Sequence, residues 1–132
     1  MEEYFMALTL EEAKKAYANN EVPIGCVVVK DGNVIGSGYN KKIEKNNSLY
    51  HAEVIALSQA CETLGSWWLE DCDVYVTLEP CPMCAGYMLN SRIRKLYVGT
   101  RDPRMGSCGS ALDLSNHPSF NHSFPVVFGL LE

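Results

Sequence analysis

No stretch of this chain approaches the run of about 18 apolar residues that a membrane-spanning helix needs, so no transmembrane helix and no membrane partner are expected. The first residues also lack the basic segment and apolar core of a secretory leader: Glu2, Glu3, Glu11 and Glu12 fall there instead, and a cytoplasmic protein is expected. Positive charge is scarce. Eleven Lys and Arg stand against sixteen Asp and Glu, a net charge of -5, which argues against an indiscriminate nucleic-acid binder. All the cations fall between Lys14 and Arg104. Lys41, Lys42 and Lys45 form one group and Arg101 and Arg104 another, so two loops would supply a local phosphate-binding rim on an acidic protein. There is no internal repeat, low-complexity tract or linker, and 132 residues with 47% hydrophobic content suit a single domain over 1-132. Six cysteines are present. With no leader they do not suggest a disulfide framework, and Cys26, Cys61, Cys72 and Cys108 read as reduced thiols.

What the chain does have is two short polar segments, Leu49-Tyr50-His51-Ala52-Glu53 and Glu79-Pro80-Cys81-Pro82-Met83-Cys84. Imidazole nitrogen and thiolate sulfur are zinc ligands, and a catalytic zinc takes three protein ligands while keeping the fourth position for water. His51, Cys81 and Cys84 make that three. Each segment has the character of a helix N-terminus. Pro82 suits the first helical position, and Cys81 and Cys84, at i and i+3, then project to one side. Unpaired N-H groups and the positive end of a helix dipole lower thiolate pKa values and favour a bound anion. Glu53 lies roughly 200° around a helix from His51, off the ligand stripe, and reads as an acid-base group beside the open position. Two plainer readings stand alongside: a buried histidine next to two core cysteines, and a structural zinc-binding module in which Cys72 or Cys108 closes the coordination shell, although no motif supplies that fourth ligand.

In chain order, residues 4-19 predict a helix with Met6, Leu10, Ala13 and Tyr17 on one face, and Thr9-Leu10-Glu11-Glu12 also fits a capping box that would start it late. Val27-Val28-Val29-Lys30, Asp31-Gly32 and Val34-Ile35-Gly36 form a strong hairpin signal. Lys41 to Leu49 reads as a loop, and His51 to Leu64 as a largely buried helix ended by Gly65. Asp73 to Leu78 and Lys95 to Gly99 read as strands flanking the helix opened by Pro82, which implies parallel pairing. Pro125 to Phe128 gives a fifth strand, and the whole is an α/β domain with a five-stranded mixed sheet and helices on both faces. Trp67-Trp68 is expected to serve core packing or a subunit contact before base stacking.

The pair His51-Ala52-Glu53 and Pro80-Cys81-Pro82-Met83-Cys84 resembles the HxE and PCxxC signature of the zinc-dependent nucleobase deaminases. Glu21-Val22-Pro23-Ile24-Gly25, Gly38-Tyr39-Asn40, Tyr75 through Pro80, Ser91-Arg92-Ile93 and Gly99 through Leu114 extend the likeness over nearly the whole chain, and it is to the bacterial tRNA-specific adenosine deaminases. The resemblance implies a three-layer α/β/α cytidine-deaminase-like fold, Zn2+ as cofactor, a homodimer, a tRNA anticodon stem-loop as partner, and conversion of the wobble adenosine to inosine with Glu53 as catalytic proton shuttle. It further implies that Asn40 hydrogen-bonds the base, that Val22 and Pro23 wall the pocket, and that Asp102 meets the nucleotide backbone. Leu49-Tyr50 stands where the family usually has Thr-Ala. Family members continue into a C-terminal helix, which would begin here at Gly129-Leu130-Leu131-Glu132, so the domain is expected to lack it. A free-base guanine or cytosine deaminase, and an engineered or repurposed deaminase of adenine in single-stranded DNA, share the signature and remain alternatives.

Overall fold

The structure, a computed structural model, describes residues 1-131. Its elements are α1 (Glu2–Ala18), β1 (Gly25–Lys30), β2 (Asn33–Tyr39), α2 (Ala52–Leu64), β3 (Asp73–Leu78), α3 (Pro82–Ser91), β4 (Lys95–Thr100) and β5 (Val126–Phe128). The expected helix start over Gly129-Glu132 reaches residue 132, which lies outside the described residues. Leu130 and Leu131 form a turn.

The predicted hairpin is present. Lys30 pairs with Asn33, and the turn residues Asp31 and Gly32 take φ of 51° and 77°, the left-handed values that match the twist of the flanking strands. The strands order as β2-β1-β3-β4-β5. β1 pairs antiparallel with β2 and β3, while β3, β4 and β5 run parallel. Side chains alternate between two apolar layers. Val28, Val74, Val76, Leu96 and Val98 meet Leu57 of α2 and Met88 of α3. Val27, Val29, Tyr75 and Tyr97 meet Phe5 and Met6 of α1. Helices therefore cover both faces, and β1 is buried along all but its last residue, as a central strand with two covered faces must be.

Two local readings are corrected. Thr9 does not cap α1. It lies within the helix, fully buried, and its hydroxyl donates to the Phe5 carbonyl at 2.8 Å. The buried face runs through Phe5, Met6, Thr9, Ala13 and Ala16, leaving Tyr17 74% exposed; the stripe is rotated because Phe5 docks on Tyr75 at 5.6 Å between ring centroids. Of the two roles expected for Trp67 and Trp68, core packing is not met. They stack on each other at 6.0 Å and are 63% and 51% exposed.

What positions the site is the close approach of α2 to β2. A Cβ on Gly36 would stand 2.2 Å from the Ala56 carbonyl oxygen, and one on Gly38 2.8 Å from that of Ala52. Only a strand without side chains there lets the helix lie flush and brings its N-terminus beside the end of β2. α2 ends at Gly65 with φ 64°, as the sequence predicts. α3 begins directly beyond the C-terminal end of β3, the edge where open α/β sheets gather ligands.

Candidate active site

His51 is the N-cap residue of α2 and Cys81 that of α3, each with extended backbone (ψ 154° and 173°), and Pro82 occupies the start of α3. Both helices therefore point their positive ends at one place. The His51 Nδ1 atom lies 3.7 Å from Cys81 Sγ and 3.6 Å from Cys84 Sγ, and the donor atoms of the three residues all fall within 4.8 Å of one another. Metal-nitrogen bonds of about 2.0 Å and metal-sulfur bonds of about 2.3 Å at tetrahedral angles set N and S roughly 3.6 Å apart. The triangle thus fits a tetrahedral zinc with one position open. Cys72 and Cys108, candidates for a fourth ligand in the structural-module reading, are not in the cluster, so among the described residues no closed four-ligand shell is built.

Glu53 is 4% exposed. Burial pushes its carboxyl up to about 7, against the opposing pull of a backbone N-H and of the Cys84 thiol, both of which hydrogen-bond the charged form. The Cys84 thiol also donates to Cys81, and this bond, outweighing burial, lowers Cys81 to about 5; backbone N-H groups of Cys84 and Met83 assist. The same bond raises Cys84. The site is a low-dielectric pocket holding one acid poised near neutrality and one thiolate ready for a cation.

Asn40 joins this group. Its Oδ1 accepts the Ala52 N-H at 2.8 Å, capping α2 where the N-cap His51 offers no side-chain bond of its own. Val22 and Pro23 are exposed, in the segment between α1 and β1 that is tied to Asn40 by the bond from Asn40 N-H to the Ile24 carbonyl at 3.2 Å. Asp102 is part-buried. Its Oδ1 accepts the N-H groups of Arg104 at 3.0 Å and Met105 at 3.3 Å, so one carboxylate oxygen shapes its own turn.

Residues 1–100 match a protein family described as the cytidine and deoxycytidylate deaminase zinc-binding region. The chain belongs to this deaminase family. It is 44% identical to the tRNA-specific adenosine deaminase of Bacillus subtilis over 131 residues, 99% of this chain and 81% of that protein. A solved structure from a study of A-to-I editing by tRNA:A34 deaminases at the wobble position of transfer RNA superposes with a TM-score of 0.92 at 44% identity, covering 96% of this chain and 92% of that one. The guanine deaminase of Bacillus subtilis superposes with a TM-score of 0.72 at 35% identity, over 75% of this chain and 64% of that one. The three-layer α/β/α deaminase fold and a zinc-dependent hydrolytic enzyme are both in place.

Within this deaminase two buried carboxylates that hold loops by accepting backbone N-H groups escaped the reading of the sequence. Glu21, 6% exposed, accepts the N-H groups of Ile43 at 3.1 Å and Glu44 at 2.8 Å, fixing the loop that carries Lys41, Lys42 and Lys45. Glu79 does the same for the loop that carries Arg101 and Arg104. The signal for Glu79 was an acidic residue directly after the mostly apolar Val74-Tyr75-Val76-Thr77-Leu78 run of β3 and immediately before Pro80-Cys81. A charge there is buried, and a buried charge needs donors from somewhere else in the chain.

Proposed function

We propose that this protein hydrolytically deaminates adenosine to inosine at the wobble position of a tRNA anticodon, with His51, Cys81 and Cys84 as zinc ligands and Glu53 as the catalytic acid-base group. The observation that carries the chemistry is the placement of a buried carboxyl, raised to about 7, against three donors spaced for tetrahedral zinc. A likeness over 99% of the chain to a tRNA-specific adenosine deaminase carries the substrate class.

Zinc supplies Lewis acidity that brings the pKa of water from 15.7 down to about 7. The rest is done by side chains. Glu53 accepts one proton from the water that adds to C6 and delivers it to the neighbouring ring nitrogen, then takes the remaining proton from the new C6 hydroxyl and passes it to the amine, so that ammonia leaves and the C6 carbonyl of inosine forms, a cycle suited to a carboxylate that alternates between base and acid. Asn40, its Oδ1 committed to Ala52, offers its amide N-H to the base. Val22 and Pro23 form the outer wall around the extruded base, and the second carboxylate oxygen of Asp102 serves the nucleotide backbone.

An anticodon loop presents unstacked bases, so extruding one costs less than opening a duplex. Lys41, Lys42, Lys45, Arg101 and Arg104 are the phosphate contacts. The assembly is a homodimer working in the cytoplasm, with Leu49, Tyr50, Val54 and Ile55 beside the motif as the apolar contact surface. Mass-spectrometric comparison of an anticodon stem-loop, the matching single-stranded DNA, free adenine and free guanine tests the reading. Conversion of the stem-loop alone is the expected result; conversion of guanine at an equal rate would favour a free-base enzyme.

A further inference from the structure

Glu79 stands between the last residue of β3 and the turn that presents Cys81, and it is 2% exposed. Its Oε2 accepts the N-H groups of Cys108 and Ser110, both at 3.0 Å. Its Oε1 accepts the Asp102 N-H at 3.1 Å and the Ser110 hydroxyl. Among the described residues none of the ion pairs includes Glu79. A buried carboxylate with no cation depends on such donors, and charge-assisted bonds are the strong ones. The dependence is mutual, because three loop N-H groups have this one side chain as their acceptor.

The loop backbone rests directly on the carboxylate. A Cβ on Gly106 would stand 2.4 Å from Glu79 Cδ and 2.3 Å from the Asp102 carbonyl oxygen, so no residue with a side chain fits. The Ser107 N-H adds a second tie, to the Pro80 carbonyl at 2.8 Å. Glu79 and Pro80 together therefore index residues 102-110 to the chain segment that carries the cysteine ligands. Outward from these anchors the loop presents exposed Arg101, Arg104 and Met105, with the Arg101 guanidinium 3.7 Å over the Phe128 ring.

We infer that Glu79 is a positioning residue for substrate: through the backbone N-H groups of Asp102, Cys108 and Ser110 it sets the distance between the RNA-gripping loop and the metal-ligand turn, without touching substrate or metal itself. This rests on the functional reading above for the identity of the substrate. An acidic residue so placed strengthens binding of a polyanion by holding two arginines in place, even though its own charge would repel it.

The test uses the zinc-loaded enzyme and the Glu79→Gln substitution, which keeps the size but turns an NH2 towards N-H donors. Amide hydrogen exchange over 102-110 should accelerate, zinc content should not change, and KM for the stem-loop should rise about tenfold, the scale of one charge-assisted hydrogen bond, with kcat nearly kept. Arg101→Ala and Arg104→Ala should raise KM in the parent enzyme and do far less in the Glu79→Gln background, because the loop is already displaced. Ser110→Ala, which removes one donor and leaves the carboxylate buried, should give the same pattern more weakly and covers the case in which Glu79→Gln does not fold. Unchanged exchange over 102-110, additive arginine effects, or zinc lost in step with activity would each overturn the inference. The exchange measurement needs no RNA, so its failure is distinct from failure of the enzyme to act on the stem-loop.

Discussion

Asn40 Oδ1 accepts the N-H of Ala52 at 2.8 Å, so the residue that closes β2 also caps the helix carrying Glu53. The amide fixes α2 through its oxygen, and in the function proposed above its nitrogen is offered to the base. The two separate by mutation. Asn40→Asp keeps an acceptor and adds a charge that a helix N-terminus favours, so the melting temperature should hold while kcat/KM falls. Asn40→Ala should lose both, the cap being worth about 1 kcal/mol. Wild-type turnover by Asn40→Asp would show that the amide nitrogen contributes nothing to catalysis.

Glu53 sets a pH dependence in the metal-free protein. Burial raises its folded-state pKa from 4.5 to about 7, so between those values the folded state binds more protons than the unfolded one and stability falls as pH rises. Over that interval the loss is on the order of 3 kcal/mol, at 1.36 kcal/mol per pH unit. Cys81, lowered to about 5, contributes with the opposite sign over the same window, so the Glu53 contribution is read as a difference: relative to the chelated parent, Glu53→Gln should gain stability from pH 5 to pH 8 and be the more stable protein at pH 8. The same variant, loaded with zinc, should lose nearly all turnover. A stability difference between the chelated parent and Glu53→Gln that does not vary with pH in this window would place Glu53 in a wetter site than the structure describes.

Metal removal should act on both fold and activity. A ligand bound only by the native state stabilises by about 2.7 kcal/mol at one hundred times its dissociation constant, so chelation should lower the melting temperature and zinc should restore it. Cys81→Ser and His51→Ala should each purify with far less than one zinc, by atomic emission at matched protein concentration. Full occupancy in both would remove them from the ligand set.

The two basic loops predict salt dependence. Replacing Lys41, Lys42 and Lys45, or Arg101 and Arg104, with alanine should raise the half-saturating stem-loop concentration. The slope of log affinity against log salt should fall by about 0.7 for each phosphate of single-stranded RNA that the variant no longer neutralises. Zinc content and kcat should stay close to those of the parent. An unchanged salt slope would move the RNA to another face.

Much of this was legible in the chain itself, and for local reasons. Asp31-Gly32 dictated the hairpin because a tight turn needs positive φ. Pro82 and Gly65 marked the ends of α3 and α2 because one has no N-H to lose and the other no Cβ to clash. The cluster of His51, Cys81 and Cys84 was legible because few residue types bind zinc and their spacing matched helix starts.

Other features were decided only in the tertiary structure. The buried face of α1 rotated away from Tyr17 because Phe5 found Tyr75, a contact some seventy residues distant in sequence that no helical period contains. That His51 uses Nδ1, that Asn40 caps α2, and that Gly36 and Gly38 admit the helix all depend on strand and helix meeting at a particular height. The role of Glu79 is the clearest case. Its identity was plain in the sequence, but a carboxylate's function lies in which donors surround it once water is excluded, and those donors come from a loop more than twenty residues further along the chain. Local sequence determines which groups are present and how each segment begins and ends; burial and close packing decide which of them meet.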